Sequence, residues 1–249
     1  MHYTPSEKLR EHLADEHRQS PFAEYLKEIV YGGVDGIVTT FAVVAGFSGA
    51  SLMGTSMIEL SFLTVLLFGL ANLFADGVSM GLGNFLSIRA EQDLFRSHEV
   101  KERHEIKVHR NEEAEETLEI LMGKGFTQQD GESLVEIFQR NDEYWVGWMM
   151  HHELEMDDPT GTNPIWNGLA TFVSFLIFGS IPLIPFFFRE VGGDQAFKAS
   201  CVATIFALVL LATLKWKVTK TSFFRSVFET VLVGGVAAGV AFWVGTFFS

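Results

Sequence analysis

The chain has 249 residues, of which 48% are hydrophobic, and it carries a formal net charge of −13. Together with 24 phenylalanines, 23 glycines and a positive mean hydropathy, this apolar content exceeds that of an ordinary soluble domain, and the apolar residues form runs long enough to cross a bilayer. The composition therefore excludes a simple soluble domain and indicates an integral membrane protein.

The polar N-terminal stretch, residues 1–29, comes first along the chain. Its part from Ser6 to Val30 has the pattern of an amphipathic helix that lies on the membrane surface. We expect this stretch to lie in the cytosol.

Five apolar runs of about twenty residues predict five membrane spans. The predicted spans are Val30–Ala50, Leu60–Leu86, Ile165–Phe188, Phe197–Leu214 and Phe223–Phe248. The connection between the fourth and fifth spans is basic, with Lys215, Lys217, Lys220 and Arg225. By the positive-inside rule this connection is cytosolic, which also places the N-terminus and the segment between spans two and three in the cytosol.

Two aspartates fall inside predicted spans, Asp35 in span one and Asp76 in span two. An ionisable side chain at such depth is costly, so each is a candidate functional residue, although a structural hydrogen bond to a neighbouring helix is the alternative. Asn72, Asp76 and Met80 follow one another at intervals of four residues and therefore share one helix face. We expect this face to line a transport pathway rather than to face lipid.

Asp35 and Met80 are predicted to lie at a similar depth. If Lys27 and Arg89 mark the cytosolic side, Asp35 lies eight residues after Lys27 and Met80 lies nine residues before Arg89. These separations correspond to about 12 and 14 Å at the helical rise of about 1.5 Å per residue. Met80 alone would more often be a packing residue, but this match in depth makes it a candidate metal ligand.

Residues 90–160 hold most of the negative charge, with 19 acidic and 7 basic residues. The segment predicts a small helical domain, inserted between spans two and three. One helix continues from span two to about Val108, a second runs from Glu112 to Gly123, and one or two more lie between Asp130 and Glu155. The predicted organisation is thus residues 1–29, spans 30–89, an acidic domain 90–160 and spans 161–249.

Carboxylates in the acidic domain occur at helical spacing. The candidate metal ligands are Glu102, Glu105, Glu113, Glu116, Met149, Met150 and Glu153. Within each group the spacing of three or four residues puts the side chains on one helix face, so three short helices could bring these faces together. The alternative is an ordinary solvated acidic surface.

The mixture of ligands limits the metal. Carboxylates alone would suit Mg²⁺ or Ca²⁺, whereas carboxylates with thioethers suit Fe²⁺, with Mn²⁺, Co²⁺ or Zn²⁺ also compatible. No organic cofactor and no nucleic acid is expected.

These residues resemble the vacuolar iron transporter family of plants and fungi, with its bacterial relatives. The resemblance rests on the runs Val34–Gly36, Ala45–Ala50, Ser79–Gly83 and Pro182–Pro185, and on the glutamates and methionines of the acidic domain. It implies an all-α protein, a homodimer with five spans per subunit and a cytosolic metal-binding domain. It further implies an iron pathway along the two-fold axis, lined by spans one and two, and proton exchange.

The chain departs from the family pattern in span two and in span one. Asn72 stands where the family usually has a glutamate, and Asp76 occupies a position one turn away that is usually small. The carboxylate of span two is therefore expected to have moved by one turn. Thr40 stands where a proline is common, so the local bend of span one is expected to differ.

The function expected from these observations is export of Fe²⁺ from the cytosol by exchange with protons, across a vacuolar or bacterial inner membrane, without enzymatic activity. A buried carboxylate binds a proton or a cation but not both readily, which is the basis of such exchange. A membrane-anchored iron store or ferroxidase is the alternative, although di-iron sites usually need paired Glu-x-x-His motifs, which the chain lacks. A metal sensor without transport is a third possibility.

Overall fold

The structure, a computed structural model, describes residues 21–51, 58–188 and 193–246. Within these ranges the secondary structure is helical and contains no strand. The α-helices are α1 (Pro21–Glu24), α2 (Leu26–Ser51), α3 (Ile58–Val108), α4 (Arg110–Gly123), α5 (Gln128–Phe138), α6 (Asp142–His152), α7 (Pro164–Ser180), α8 (Gly193–Thr219) and α9 (Phe223–Thr246). Two 3₁₀ helices, Pro159–Gly161 and Ile181–Phe187, precede and follow α7.

Five of the described helical segments are long and apolar enough to cross a membrane. They are Leu26–Phe47, Leu63–Val108, Pro164–Phe187, Gln195–Thr219 and Phe223–Ala241. The second has 46 residues, about twice the length that a crossing needs, so its C-terminal part extends beyond the membrane. The all-helical class and the five spans are therefore confirmed for the described residues, while the cytosolic placement of the acidic domain stays a prediction. The predicted surface helix from Ser6 falls largely outside the described residues, and its last residues belong to the first candidate span.

The third span ends differently from a regular helix. α7 stops at Ser180, and the chain continues as a 3₁₀ helix through Pro182 and Pro185. Proline lacks the backbone N–H that an α-helix needs at these positions, so the tighter winding replaces the last α-helical turns of the predicted span.

The described residues form two compact units, one from Phe85 to Pro164 and one from the segments on either side of it. In the apolar unit, α2 packs very closely on α7. A Cβ atom on Gly32 would lie 2.6 Å from the carbonyl oxygen of Thr171, and one on Gly36 would lie 2.5 Å from that of Phe175. Only glycine permits this approach, which fixes the register of α2 against α7.

The other unit is a small bundle formed by the end of α3 with α4, α5 and α6. Its core contains Phe95, Ile106, Leu121, Val135, Phe138, Trp145, Val146, Met149 and Met150. Of the one or two helices predicted between Asp130 and Glu155, the structure contains two, α5 and α6. Asn141 caps the start of α6 by accepting a hydrogen bond from the backbone N–H of Tyr144 at 3.2 Å. Arg110 joins α4 to α6 through an ion pair of 2.8 Å with Asp142 and lies over the ring of Trp145.

Candidate metal site

Three glutamates of the helical bundle converge. Glu102 on α3, Glu113 on α4 and Glu153 at the C-terminal end of α6 each offer a carboxylate oxygen, and these three oxygens lie within 4.8 Å of one another. Two oxygens on opposite sides of a divalent ion lie about 4.4 Å apart when each bond is about 2.2 Å long. The three residues, called here the carboxylate cluster, therefore match the dimensions of a metal site.

The carboxylate cluster exists because two of its members take the place of core residues. On α3, Glu102 shares the buried stripe of Phe95 and Ile106, at seven and four residues away. On α4, Glu113 continues the stripe that Thr117 and Leu121 form in steps of four. Packing of these stripes draws the carboxylates inward.

Two cluster oxygens lack partners. Glu102 is 2% exposed and Glu113 is 6% exposed. One buried oxygen of each accepts no hydrogen bond from an N–H or hydroxyl group of the described residues, and the two carboxyl groups lie within hydrogen-bond reach of each other when one is protonated. Burying a carboxylate oxygen without a partner costs free energy, so a bound cation or proton would stabilise this arrangement.

The cluster holds protons more tightly than isolated glutamates do. Burial and the charges of Glu153 and Glu113 raise the pKa of Glu102 to about 8. Burial and the charges of Glu116 and Glu153 raise the pKa of Glu113 to about 7. Glu153 is exposed as a residue, but partial desolvation of its carboxyl group and the charges of Glu116 and Glu105 also raise its pKa. A bound divalent cation would replace these protons, so metal binding and proton release are coupled here.

The other two predicted glutamates lie at the edge of the cluster. Glu105 is half-buried and forms an ion pair of 3.5 Å with Lys101. Glu116 is exposed. Both lie close enough for their charges to act on Glu113. They form an outer acidic rim that attracts cations, and their direct ligation of a metal stays a prediction.

The two predicted methionines lie in the apolar core. Met149 and Met150 are fully buried. The sulfur of Met149 lies 3.2 Å from the hydroxyl oxygen of Thr117. Met149 precedes Glu153 by one helical turn, so its thioether belongs to the layer of the core next to the cluster. Ligation by either methionine stays a prediction.

In the apolar unit, Asp35 and Asp76 are both half-buried and lie close enough for their charges to interact. Gly36 and Gly77, their immediate neighbours, both face Phe175 on α7. The two aspartates therefore lie at the same height on α2 and α3.

Met80 lies one turn away from this height. Its neighbour Gly81 faces Gly168 and Phe172 instead of Phe175. Met80 itself is half-buried and packs against an apolar cluster that includes Leu73 and Phe175. By these contacts Met80 lies about one turn from the height of Asp35, so Lys27 and Arg89 do not mark a single level. Its role as a ligand stays a prediction.

Asn72 faces a groove of about 580 Å³ between α2 and α3. The groove also contacts Val43 and Gly46 of α2. Val43 follows Asp35 by eight residues and Asn72 precedes Asp76 by four, so the groove continues along the faces that carry the two aspartates. This geometry agrees with a pathway between spans one and two, which stays a prediction.

Sequence reasoning missed Glu28 and Thr117. Glu28 is 7% exposed and lies inside the first candidate span, two turns before Asp35 on the same face of α2. Among the described residues, no side chain forms a hydrogen bond or ion pair with it. Glu28 was grouped with the polar N-terminal stretch, residues 1–29, and so was not recognised as a residue of the first span. Thr117 belongs to no motif that the sequence shows.

Comparison with known proteins places these features in a family. The model of the VIT family matches residues 26–246. A protein named vacuolar iron transporter from Toxoplasma gondii is 36% identical over 252 aligned positions, which cover 96% of this chain and 80% of that protein. Vacuolar iron transporter 1 of Arabidopsis thaliana is 31% identical, with 92% of this chain and 89% of that protein covered. A vacuolar iron transporter of Plasmodium falciparum is 32% identical, covering 88% and 81%. Because the family model and these relatives match most of its length, the chain belongs to the VIT family.

Proposed function

We propose that this protein is a membrane transporter that exports Fe²⁺ from the cytosol in exchange for protons. The observation that carries this proposal is the carboxylate cluster, in which Glu102 and Glu113 each keep a buried oxygen without a hydrogen-bond partner. A cation bound beside Glu153 would satisfy both oxygens. The names of the relatives support iron as the ion.

The ligand chemistry supports a first-row divalent ion. Three carboxylates supply hard oxygen ligands, and the thioether of Met149 in the adjacent core layer supplies a softer one. Fe²⁺ accepts both kinds of ligand, and Mn²⁺, Co²⁺ and Zn²⁺ are the other candidates.

Proton exchange follows from carboxylate chemistry. Asp35 and Asp76 bring two carboxylates to one height inside the apolar unit, where ionised side chains are costly. A divalent cation neutralises both at once, and two protons do the same. Alternation between these states would couple metal movement in one direction to proton movement in the other.

The assembly and orientation are part of the same proposal. We expect two copies in the bilayer, with the pathway between spans one and two at the two-fold axis. The N-terminus and the acidic domain face the cytosol, in a vacuolar or bacterial inner membrane. The basic connection from Lys215 to Arg225 supports this orientation through the positive-inside rule.

A flux assay tests the proposal. The protein is reconstituted in sealed vesicles with an imposed pH gradient, and Fe²⁺, Mn²⁺, Co²⁺ and Zn²⁺ are compared while an internal dye reports pH. We expect Fe²⁺ flux that is driven by the pH gradient and that moves protons in the opposite direction. Fe²⁺ flux that does not depend on the pH gradient would contradict proton exchange. Absence of flux would contradict transport.

The alternative of an iron store or ferroxidase predicts a different result. Such a protein would consume oxygen when Fe²⁺ is added to the detergent-purified chain, without flux in vesicles. Among the described residues, the carboxylate cluster consists of glutamates and includes no histidine. The expected oxygen consumption is therefore at background level.

A further inference from the structure

Thr117 is the buried centre of a small polar network in the helical bundle. Its hydroxyl oxygen accepts a hydrogen bond of 2.8 Å from the indole N–H of Trp145. The same oxygen lies 2.7 Å from the backbone carbonyl oxygen of Glu113 and 3.2 Å from the sulfur of Met149. Thr117, Trp145 and Met149 are each 0% exposed. The network is therefore closed off from bulk solvent.

The hydroxyl has one proton and two acceptors within reach. Because Trp145 donates to the oxygen, the Thr117 proton points either to the Glu113 carbonyl or to the Met149 sulfur. A thioether sulfur has two lone pairs, so a hydrogen bond to one of them leaves the other for a metal ion. When the Thr117 proton points to the Met149 sulfur, it therefore orients the sulfur without blocking it.

The network lies one turn from the carboxylate cluster on two helices. Thr117 follows Glu113 by four residues on α4, and Met149 precedes Glu153 by four residues on α6. The hydroxyl–sulfur contact therefore spans the same two helices as the cluster, in the adjacent layer.

We propose that Thr117, held by Trp145, positions the Met149 thioether for an ion bound at the carboxylate cluster, and so sets the preference of the site for softer ions. The inference rests on the proposed function only in that a divalent ion binds the cluster. Methionine is flexible, with three rotatable side-chain bonds, so an unrestrained sulfur would have to be ordered when the ion binds. Holding it beforehand removes that cost. The gain applies to ions that accept sulfur, such as Co²⁺ and Fe²⁺, and is small for Mn²⁺, which prefers oxygen.

The test measures Co²⁺ and Mn²⁺ affinities of the detergent-purified full chain by calorimetry. Thr117→Val removes the hydroxyl with little change of shape, Thr117→Ser keeps it, and Met149→Leu removes the sulfur. We expect Thr117→Val and Met149→Leu each to lower the ratio of Co²⁺ to Mn²⁺ affinity by about tenfold, the scale typical of residues that orient metal ligands. Thr117→Ser should keep the native ratio, as should the control Met122→Leu, which changes an exposed methionine.

The double variant Thr117→Val/Met149→Leu separates positioning from general damage. If Thr117 acts through the sulfur, the double variant has the same ratio as Met149→Leu alone. A further drop in the double variant, or an equal loss of both affinities in Thr117→Val, would assign Thr117 a merely structural role and overturn the inference.

Met149→Leu keeps the inference testable if Thr117→Val does not fold, because leucine conserves the core volume. A native ratio in Met149→Leu means that there is no thioether effect to position, and it overturns the inference while the carboxylate cluster stands. Failure of the native chain to bind either ion would overturn both the inference and the cluster.

Discussion

Glu102 and Glu113 bury two carboxylates from different helices in the same small site, and each keeps an oxygen without a hydrogen-bond partner. Lys101 is a nearby cation, but it pairs with Glu105 at the rim. Among the described residues no salt bridge reaches Glu102, Glu113 or Glu153, so protons neutralise the metal-free cluster. Its behaviour with pH and with metal follows from this arrangement.

The metal-free protein should become less stable as the pH rises toward 8. The raised pKa values of Glu102 and Glu113, about 8 and about 7, mean that the folded state holds protons that the unfolded chain releases above about pH 4.5. The free energy of unfolding therefore falls through this range and levels off above pH 8. Thermal unfolding of chelator-treated protein at pH 6 and pH 8 measures the effect.

Glu102→Gln tests the origin of that pH dependence. Glutamine cannot ionise, so the variant should lose less stability between pH 6 and pH 8, with a gain of about 2–4 °C for each kcal/mol recovered. Glu112→Gln, which removes an exposed carboxylate of α4, is the control and should behave like the native chain. Identical pH profiles for Glu102→Gln and the native chain would contradict the account.

Metal should reverse the loss of stability at pH 8. A divalent ion at one hundred times its dissociation constant adds about 2.7 kcal/mol to the free energy of unfolding. The gain should be larger at pH 8 than at pH 6, because fewer protons compete for the oxygens. Thermal unfolding with Co²⁺, before and after addition of a chelator, provides the measurement. A gain that is equal at both pH values would argue against shared sites for protons and metal.

Inner and rim glutamates should differ in their effect on affinity. Glu113→Gln removes a buried ligand and should weaken Co²⁺ binding by about tenfold or more. Glu116→Gln removes an exposed charge, so its smaller effect should fade at high salt. Calorimetric titration at low and high salt separates the two. If Glu116→Gln were the more damaging change at high salt, the assignment of inner ligands would be wrong.

Asp35→Asn should abolish transport and leave metal binding at the carboxylate cluster unchanged. Asparagine keeps the shape of the side chain but cannot carry a proton or neutralise a cation. Vesicle flux and Co²⁺ calorimetry on the same preparation measure both properties. Asp93→Asn, a change at an exposed position of α3, should retain native flux. Native flux in Asp35→Asn would show that transport does not require the Asp35 carboxylate.

The helices and the five spans followed from the sequence because long apolar runs and helix breaks are local signals. The split of the third acidic helix was less clear, since it depends on the single cap at Asn141. The third span ends as a 3₁₀ helix because of Pro182 and Pro185. Hydropathy locates the span but does not show this change of helix type.

The candidate site was only partly accessible from sequence. Spacing placed the glutamates on common helix faces, but it could not separate buried Glu102 from half-buried Glu105, because that difference depends on how α3 packs against α4. A glutamate in step with Phe95 and Ile106 is the signal that could have identified it. The heights of Asp35, Asp76 and Met80 depend on the register set by glycines against α7, which only the three-dimensional packing gives.

Crystals of the full chain grown with Co²⁺ and measured at the cobalt absorption edge test the central claim most directly. If the carboxylate cluster binds the ion, an anomalous peak is expected about 2.0–2.2 Å from carboxylate oxygens of Glu102, Glu113 and Glu153. A cobalt ion bound elsewhere, with these three carboxylates unoccupied at saturating Co²⁺, would contradict it.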